Sequence, residues 1–311
     1  MQIFRGIENI PSYRHKTIVA LGNFDGLHIG HQKILSALGE ISKKRKKRSV
    51  VLTFFPHPSN IVGSKPIPMI QTLEQRLHQI GNFPVGMTLV LDFDLKFSRL
   101  SSHEFIKGIL IQKLNAEIII VGANFRFGNK QEGSAETLHN NARHHHYTVL
   151  IVPPVRKKGK IVSSSWIRSL LFQGQINKVN ELLGRAYEIE GVVTKGKSRG
   201  KNLGFPTANI KTANEILPSG VFLTTARLRG ESFPSLTNIG ICPTFGEKEK
   251  NIETYLIDFD KNIYKKEIYL AFHKKIRSER KFKSSEQLSS QIQKDLGLAR
   301  DFFTRSFQGY S

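Results

Sequence analysis

The sequence predicts an α/β protein in which an open parallel sheet is followed by a small antiparallel β-barrel and a C-terminal helix. Up to residue 183, short β-branched runs alternate with amphipathic stretches, which is typical of parallel strands joined by crossover helices. Beyond residue 184 the apolar runs are shorter and are separated by Gly, Pro and Asn, as in a barrel or sandwich. For a chain of 311 residues, two domains are the expected number. We therefore predict domains at residues 1–183 and 184–311.

Each predicted element corresponds to a run in the sequence. The strands of the first domain are predicted at 17–22, 49–55, 87–93, 117–122 and 147–152. The helices between them, each long enough to cross over a sheet, are predicted at 30–42, 72–80, 101–114 and 132–145. The strands and the closing helix of the second domain are predicted at 187–194, 221–228, 252–258, 267–272 and 284–303.

The composition is that of a globular protein from a reducing compartment. Hydrophobic residues make up 39% of the chain and charged residues 23%, which supplies enough apolar material for two cores. The single cysteine, Cys242, excludes an intrachain disulfide framework and a cysteine-based zinc cluster. The N-terminus lacks a signal-peptide pattern, and no apolar run approaches the roughly 20 residues that a membrane span needs. We expect a cytoplasmic protein that has no membrane partner.

The formal net charge of +22 is compatible with several kinds of partner. Nucleic acid, an acidic membrane surface and anionic small ligands such as nucleotides would all be attracted by it. The densest basic run, KKRKKR at 43–48, lies between a predicted helix and a predicted strand. We interpret this run as a solvated helix end or loop, with a nucleic-acid or targeting role as the alternative.

The first candidate site follows the predicted strand 17–22, where the chain reads GNFDGLHIGH over 22–31. Ligands of open α/β sheets bind where strands end, and a helix N-terminus offers free N–H groups to a phosphate. His28 and His31 are three residues apart and project to the same side. Two imidazoles need further ligands to hold a metal, but they suit charge stabilisation of a pentacoordinate phosphorus. The residues expected around the phosphate are Gly22, Asn23, Phe24, Asp25, Gly26 and Gly30.

A second segment, VSSSWIR over 162–168, comes just after the last predicted strand of the first domain. Serines that cap a helix leave N–H groups free, and Arg168 lies one turn beyond Ser164. Taken alone, the segment is an ordinary helix N-cap. Combined with the first segment, it predicts the second half of a triphosphate clamp, made by Ser163, Ser164, Ser165 and Arg168.

These two segments together resemble the N-terminal adenylyltransferase module of the bacterial bifunctional riboflavin kinase/FAD synthetase family. Two further segments agree with this family, TFFPHP over 53–58 and VGANFRFG over 121–128. Their aromatic rings suit a flat ligand, and the Asn124 amide suits hydrogen bonds to a ring edge. The resemblance implies a flavin pocket that is formed by Phe54, Pro56, His57, Pro58, Asn124, Phe125, Arg126 and Phe127.

The start of the second domain contains GVVTKGKS over 191–198, which matches the P-loop string G-x-x-x-x-G-K-S. A P-loop needs a strand before its first glycine and a helix after its lysine. Here strand-like residues occupy the loop positions, and glycines and a proline follow, so we reject the P-loop. The stretch 191–209 instead resembles the riboflavin kinase module of the same family. The resemblance implies triphosphate contacts from Gly191, Gly196, Lys197, Arg199 and Gly200, and Mg²⁺ ligands at Thr207 and Asn209.

Segments further along the chain recur in the order that the family shows, at 218–221, 238–240, 243–246 and 252–254. Glu253 matches the family's catalytic carboxylate. This implies that Glu253 takes the proton of the ribityl 5′-hydroxyl while that oxygen attacks the γ-phosphorus. Arg277 resembles an arginine of the family's flavin loop. The chain departs from the family at Lys265, where a glycine is usual and where we expect an altered turn.

The resemblance extends from Gly22 to the C-terminal helix. It implies a Rossmann-like nucleotidyltransferase sheet joined to a barrel of the riboflavin kinase type. It predicts a two-step enzyme that phosphorylates riboflavin to FMN and transfers AMP from ATP to FMN, using ATP and Mg²⁺ in each step. The predicted partners are riboflavin, FMN and ATP, without nucleic acid. Two alternatives stay open, namely the same fold with only one activity and a basic nucleic-acid-binding protein.

Overall fold

The computed structural model describes residues 1–9, 15–195, 204–241 and 250–307 of the chain. The chain forms two compact units, Met1–Ser164 and Ser165–Ser311. The first unit contains an open parallel sheet with helices, and the second contains a closed antiparallel barrel with a long C-terminal helix. The predicted fold class is therefore confirmed. The predicted domain boundary at 183/184 stays a prediction.

Six parallel strands form the sheet of the first unit. They are β1 (Gln2–Arg5), β2 (Thr17–Leu21), β3 (Arg48–Phe55), β4 (Met87–Asp92), β5 (Ala116–Gly122) and β6 (Thr148–Val152). Their order across the sheet is β1-β4-β3-β2-β5-β6. The order reverses at β2, with β3 and β4 on one side and β5 and β6 on the other. Such a switch point opens a crevice at the C-terminal ends of the strands.

Helices connect these strands, and their ends carry ordinary capping signals. They are α1 (Ile29–Arg45), α2 (Pro58–Val62), α3 (Leu73–Gly81), α4 (Ser102–Glu104, continued by a π-helix over Phe105–Lys113) and α5 (Ala135–His145). The basic run 43–48 supplies the last turn of α1, where positive charge opposes the negative end of the helix dipole. Lys46 ends this helix in the left-handed conformation.

The central strand β2 is buried on both faces of the sheet. Ile18 and Ala20 belong to the core cluster that includes the buried face of α1. Val19 and Leu21 belong to a second cluster that includes the π-helix and the buried face of α5. Because successive side chains of a strand point to opposite faces, a strand covered on both sides is apolar throughout.

The second unit is a six-stranded barrel preceded by two helices and followed by one. The helices are α6 (Ser164–Phe172), α7 (Ile176–Leu183) and α8 (Ser285–Phe307). The strands are β7 (Tyr187–Thr194), β8 (Ala208–Thr212), β9 (Gly220–Leu228), β10 (Glu231–Ile241), β11 (Lys250–Leu256) and β12 (Glu267–Arg277). All neighbours are antiparallel, and the barrel closes in the order β7-β8-β11-β10-β9-β12.

Every predicted strand and helix is present in the described part of the chain, but the prediction missed β1, β8 and β10 of the two main sheets. It also missed two small hairpins, formed by Arg126–Phe127 with Gly133–Ser134 and by Arg156–Lys157 with Lys160–Ile161. The reason is clearest for β10, whose buried residues include Ser235 and Thr237. The Thr224 hydroxyl lies 2.8 Å from that of Ser235 and 2.7 Å from that of Thr237, which in turn lies 3.0 Å from that of Thr254. These buried hydroxyls form hydrogen bonds with one another, which allows polar residues to occupy buried positions of β10. The strand therefore lacks the alternating apolar pattern by which strands are predicted.

Candidate active sites

The loop after β2 lies at the switch point of the first sheet, where the sequence predicts a phosphate site. Residues 22–28 join β2 directly to α1, a helix of 17 residues whose N-terminus therefore begins at the C-terminal edge of the sheet. The backbone N–H of Gly22 donates to the carbonyl of Leu52 at 3.2 Å, and the Thr53 hydroxyl donates to the carbonyl of Asn23 at 3.1 Å. These bonds to β3 hold the start of the loop against the sheet.

Residues 22–31, which end in the first turn of α1 and are called the histidine loop below, contain two histidines that stack on each other. His28 caps α1, and its Nδ1 accepts a hydrogen bond from the backbone N–H of His31 at 3.3 Å. The ring centroids are 3.7 Å apart, and the edge of the Phe24 ring meets His31 at 5.3 Å. Burial lowers the pKa of His31 well below its ordinary value, and the charges of His28 and Arg76 lower it further. His31 is therefore a neutral imidazole at neutral pH.

The loop is anchored by the segment that precedes α3. The Asp25 carboxylate accepts the backbone N–H of Ile70, with distances of 3.1 Å and 3.3 Å to its two oxygens. Gly26 has a φ of +78°, and a Cβ there would lie 2.9 Å from the Ile70 side chain. The left-handed conformation and the close contact both require glycine at this position.

The serine segment reaches the same loop within the first unit. The Ser164 hydroxyl donates to the backbone carbonyl of Asp25 at 2.9 Å. Ser163 immediately precedes α6, while Ser165 and Arg168 lie within this helix. The sequence-predicted proximity of the serines to the histidine loop is therefore observed for Ser164.

A cavity of about 540 Å³ lies beside the histidine loop, and the predicted flavin segments form much of its wall. The Asn23 side chain reaches from the loop to His57, with 3.1 Å between Nδ2 and Nε2. Pro56 follows Phe55 through a cis peptide bond and is not among the lining residues. The predicted residues that line the cavity are Asn23, Phe54, His57, Pro58, Asn124, Phe125, Arg126 and Phe127.

The wall also contains a group of aromatic side chains that the sequence did not single out. Phe93 and Phe97 pack at 5.5 Å, and Phe97 and Phe105 pack edge to face at 6.4 Å. Phe93 directly follows β4, so its position at the C-terminal edge of a predicted strand was a usable signal. The other lining residues that were missed are Ser59, Val62, Gly63, Ser98, Asn129, Lys130 and Gln131.

Arg76 was also missed, and it is completely buried in α3. One terminal nitrogen of its guanidinium donates to the Thr53 hydroxyl at 3.3 Å and to the Phe54 carbonyl at 3.0 Å. Its Nε and its second terminal nitrogen are buried without a hydrogen-bond partner among the residues that the structure describes. Burial lowers the pKa of Arg76, whereas the charges of Asp25 and Glu74 raise it. A buried cation thus bonds to Thr53, which also bonds to the loop, and to Phe54, which also lines the cavity.

The predicted residues of the second site meet where β8 pairs with β11. Asn209 and Glu253 are direct partners in the register of these strands. Asn251, which the sequence did not single out, has its Nδ2 atom 2.9 Å from Glu253 Oε1 and 3.1 Å from Asn209 Oδ1. Thr207 immediately precedes β8. The structure therefore groups three polar side chains of β8 and β11 at this site.

The remaining predicted residues of the second site have different outcomes. Gly191 lies inside β7, and Val192 to Thr194 continue this strand through the positions that a P-loop would need as a loop. Arg277 is bound to α8, with its Nε and one terminal nitrogen each 2.8 Å from Asp295 Oδ2. The residues that lie outside the described part of the chain are Gly196, Lys197, Arg199 and Gly200.

The two parts of the chain match two protein-family models. Residues 10–166 match the model for FAD synthetase, and residues 183–303 match the model for riboflavin kinase. Among curated proteins, the bifunctional riboflavin kinase/FMN adenylyltransferase of Buchnera aphidicola subsp. Schizaphis graminum is 36% identical, over 97% of this chain and 99% of that protein. The protein of the same description from Bacillus subtilis is also 36% identical, over 95% of each chain.

A solved structure matches the whole fold. It has a TM-score of 0.88 and 28% sequence identity, and it covers 96% of this chain and 99% of its own. Its title names a macrolide-efflux protein from Streptococcus pneumoniae. Over the described residues of the present chain, every helix is too short or too polar to cross a membrane. Both family models and the full-length curated relatives agree, and the chain belongs to the bifunctional riboflavin kinase/FMN adenylyltransferase family.

Proposed function

We propose that the chain carries out both reactions of its family, each at its own site. The barrel unit phosphorylates riboflavin to FMN with ATP, and the parallel-sheet unit transfers AMP from ATP to FMN. The observation that carries the proposal is the aromatic cavity of about 540 Å³ whose wall includes Asn23, a residue of the loop that leads into α1. An apolar slot next to a helix N-terminus suits a planar ring that carries a phosphate.

In the adenylyl transfer, the FMN phosphate is itself the nucleophile. One of its oxygens attacks the α-phosphorus of ATP, and the bond from that phosphorus to the bridging oxygen breaks, which releases pyrophosphate. No protein nucleophile is needed, so alignment and charge stabilisation account for catalysis. The roles proposed for the flavin cavity are stacking by Phe54, Phe125 and Phe127 and ring-edge hydrogen bonds from Asn124.

The histidine loop would hold the phosphates during this transfer. Gly22, Gly26 and Gly30 allow the backbone to approach the phosphates closely, and the N-terminus of α1 offers the positive end of the helix dipole to the negative charge. His28 is the residue proposed to stabilise the pentacoordinate phosphorus, with the neutral His31 stacked against it. The leaving pyrophosphate is assigned to Ser163, Ser164, Ser165 and Arg168.

In the kinase reaction, Glu253 would act as the general base. It takes the proton of the ribityl 5′-hydroxyl as that oxygen attacks the γ-phosphorus, and the bond to the β,γ-bridging oxygen breaks to release ADP. Support comes from its placement beside Asn209 in the strand register. Gly191 and the basic residues of 196–200 are proposed to contact the triphosphate, and Arg277 to approach the flavin.

Thr207 and Asn209 are the residues proposed to hold Mg²⁺ at the kinase site. Both offer neutral oxygens, which fits an ion that takes few protein ligands and keeps phosphate and water for the rest. The bond from Asn251 uses one lone pair of Asn209 Oδ1, and a carbonyl oxygen has a second one for an ion. When bound, Mg²⁺ would offset the charge of the phosphates.

The test is to incubate the protein with riboflavin, ATP and Mg²⁺ and to separate the flavins by chromatography. FMN and FAD should both form. His28→Ala should lower FAD formation by on the order of 10²-fold while FMN accumulates, because a donor to the transition state is lost. Glu253→Ala should abolish FMN formation but leave FAD formation from added FMN unchanged.

Two results would contradict this assignment. If either variant lost both activities while folded, the two reactions would share one site. If the wild-type protein made neither FMN nor FAD but retained DNA or RNA in a salt-dependent manner, its charge of +22 would point to nucleic-acid binding instead.

A further inference from the structure

One side chain connects the two residues to which we assign the kinase chemistry. Asn251 Nδ2 is 2.9 Å from Glu253 Oε1 and 3.1 Å from Asn209 Oδ1. An amide NH₂ group has two hydrogens, so one group can donate to both acceptors at once. The base and the proposed metal ligand are thereby joined through a single donor.

We propose that Asn251 is a positioning residue of the kinase site, holding the Glu253 carboxylate and the Asn209 amide in one fixed relative orientation. This inference rests on the proposed function of Glu253 and Asn209. The contacts of Asn251 are with these two side chains, and its role is exerted through them.

The strand geometry places Asn251 where this role is possible. Along β11, the half-buried Asn251, Glu253 and Tyr255 alternate with buried residues, so these three share the outer face of the barrel wall. Phe205 packs against Tyr255, with ring centroids 6.0 Å apart. The chain just before β8 therefore covers the same face, and Asn251 belongs to this partly enclosed surface.

The strand register surrounds Glu253 with amide side chains. Its register partners on the two flanking strands are Asn209 on β8 and Asn238 on β10, and Asn251 lies two residues away on its own strand. The N–H donated by Asn251 fixes the orientation of the Glu253 carboxylate through its Oε1 atom. A base whose side chain is held in one orientation is prepared to accept a proton.

The same donor also determines the orientation of Asn209. A donor at 3.1 Å requires an acceptor, which identifies the facing atom of Asn209 as its carbonyl oxygen rather than its NH₂ group. Without Asn251, the Asn209 amide would be free to rotate and to present its NH₂ group to a cation. Asn251 thus links the geometry of proton transfer to that of metal binding.

The test compares Asn251→Ala and Asn251→Asp with the wild-type protein and with Lys211→Ala, which removes an exposed side chain of β8. For each protein we would measure kcat and KM for riboflavin phosphorylation, the Mg²⁺ concentration for half-maximal rate, and FAD formation from added FMN. Asn251→Ala should lower kinase kcat by on the order of 10-fold and raise the Mg²⁺ requirement, with the KM for riboflavin little changed. FAD formation should equal that of the wild-type protein in every variant.

Asn251→Asp separates positioning from mere structural support, because its shape is nearly that of asparagine. It removes the NH₂ group that donates to Glu253 and to Asn209 and places a carboxylate beside both. The kinase kcat should therefore fall by on the order of 10²-fold, while the melting temperature stays near that of the wild-type protein.

The possible outcomes are distinct. If both variants keep the wild-type kcat and Mg²⁺ requirement, and only the melting temperature falls, Asn251 merely joins two strands and the inference is overturned. If Asn251→Ala fails to fold, the kcat and the Mg²⁺ requirement of Asn251→Asp decide between positioning and structural support. If Glu253→Ala remains an active kinase, the proposed function is wrong. An inactive Glu253→Ala alongside fully active Asn251 variants refutes only the present inference.

Discussion

His31 couples the stability of the first unit to pH. Burial, with the charges of His28 and Arg76, lowers its pKa well below the ordinary value of 6.5. In the unfolded chain His31 would titrate near that ordinary value, so below it the unfolded state binds a proton that the folded state does not. Stability is therefore complete above pH 6.5 and declines as the pH falls towards the folded pKa, by about 1.4 kcal/mol per pH unit.

Thermal unfolding at pH 7.5 and 5.5 would measure this effect. We expect the wild-type melting temperature to fall by more between these two conditions than that of His31→Gln, which cannot titrate. Burial also lowers the pKa values of His145 and His273, but these residues are present in both proteins, so the difference reports on His31. If the melting temperature fell equally in the two proteins, His31 would bind a proton at pH 5.5 in the folded state as readily as in the unfolded state.

Prediction from the sequence was also least successful for the roles of individual residues. His28, His31 and Asn124 stand in motifs whose spacing indicates their chemistry. Arg76 stands in an ordinary amphipathic helix, where an arginine is expected on the exposed face. Its complete burial depends on how α3 packs against the end of β3, which local sequence does not encode. Asn251 escaped notice for the same reason, because its importance arises from pairing between β8 and β11.

The turn before β12 contains Lys265, the position at which the sequence departs from the family's usual glycine. Lys265 has a φ of +60°, so the backbone at this position adopts the left-handed conformation that a glycine favours. The turn is held by hydrogen bonds from Lys265 N–H to the Val193 carbonyl at 2.8 Å and from Lys266 N–H to the Ile263 carbonyl at 3.1 Å. A lysine in this conformation costs about 1 kcal/mol in backbone strain.

Lys265→Gly should consequently stabilise the barrel by about 0.5–1 kcal/mol, since the strain exceeds the extra entropy of an unfolded glycine. Urea unfolding would measure the change. Lys261→Gly is the matched control, because Lys261 is exposed in the same loop and has no positive φ. That substitution should destabilise the barrel slightly. A destabilised Lys265→Gly would show that the lysine side chain makes contacts that outweigh the strain.

At the scale of elements, prediction succeeded where a strand is apolar and failed where it is not. β2 and β5 have continuous runs of β-branched residues, so their existence and approximate ends were predictable. β10 buries a network of hydroxyls, and β1 is an edge strand of only four residues with weak patterning. The π-helical winding of 105–113 has no counterpart in the apolar periodicity from which a helix was predicted.

For the whole molecule, the two-part architecture was predictable. The position of the boundary differs between the compact units and the sequence pattern. The compact units divide at 164/165, whereas the change in sequence texture predicts 183/184. The helix α7 lies between these positions. Its buried residues pack towards the barrel, and the Asn180 side chain donates to the Phe272 carbonyl at 2.7 Å and accepts the Tyr187 N–H at 2.8 Å. The sequence pattern identifies where the strands of the barrel begin, but it cannot reveal that a preceding helix packs on them.

Two fragments would decide where the kinase unit begins. A fragment of residues 165–311 should fold and phosphorylate riboflavin. A fragment of residues 184–311 should be less stable by several kcal/mol, because it loses α7, whose Val179, Leu182 and Leu183 are each worth about 1.5–3 kcal/mol of burial. Circular dichroism melting and the FMN assay would be applied to both. Equal stability and activity would instead establish 183/184 as the boundary and make α6 and α7 dispensable for the kinase.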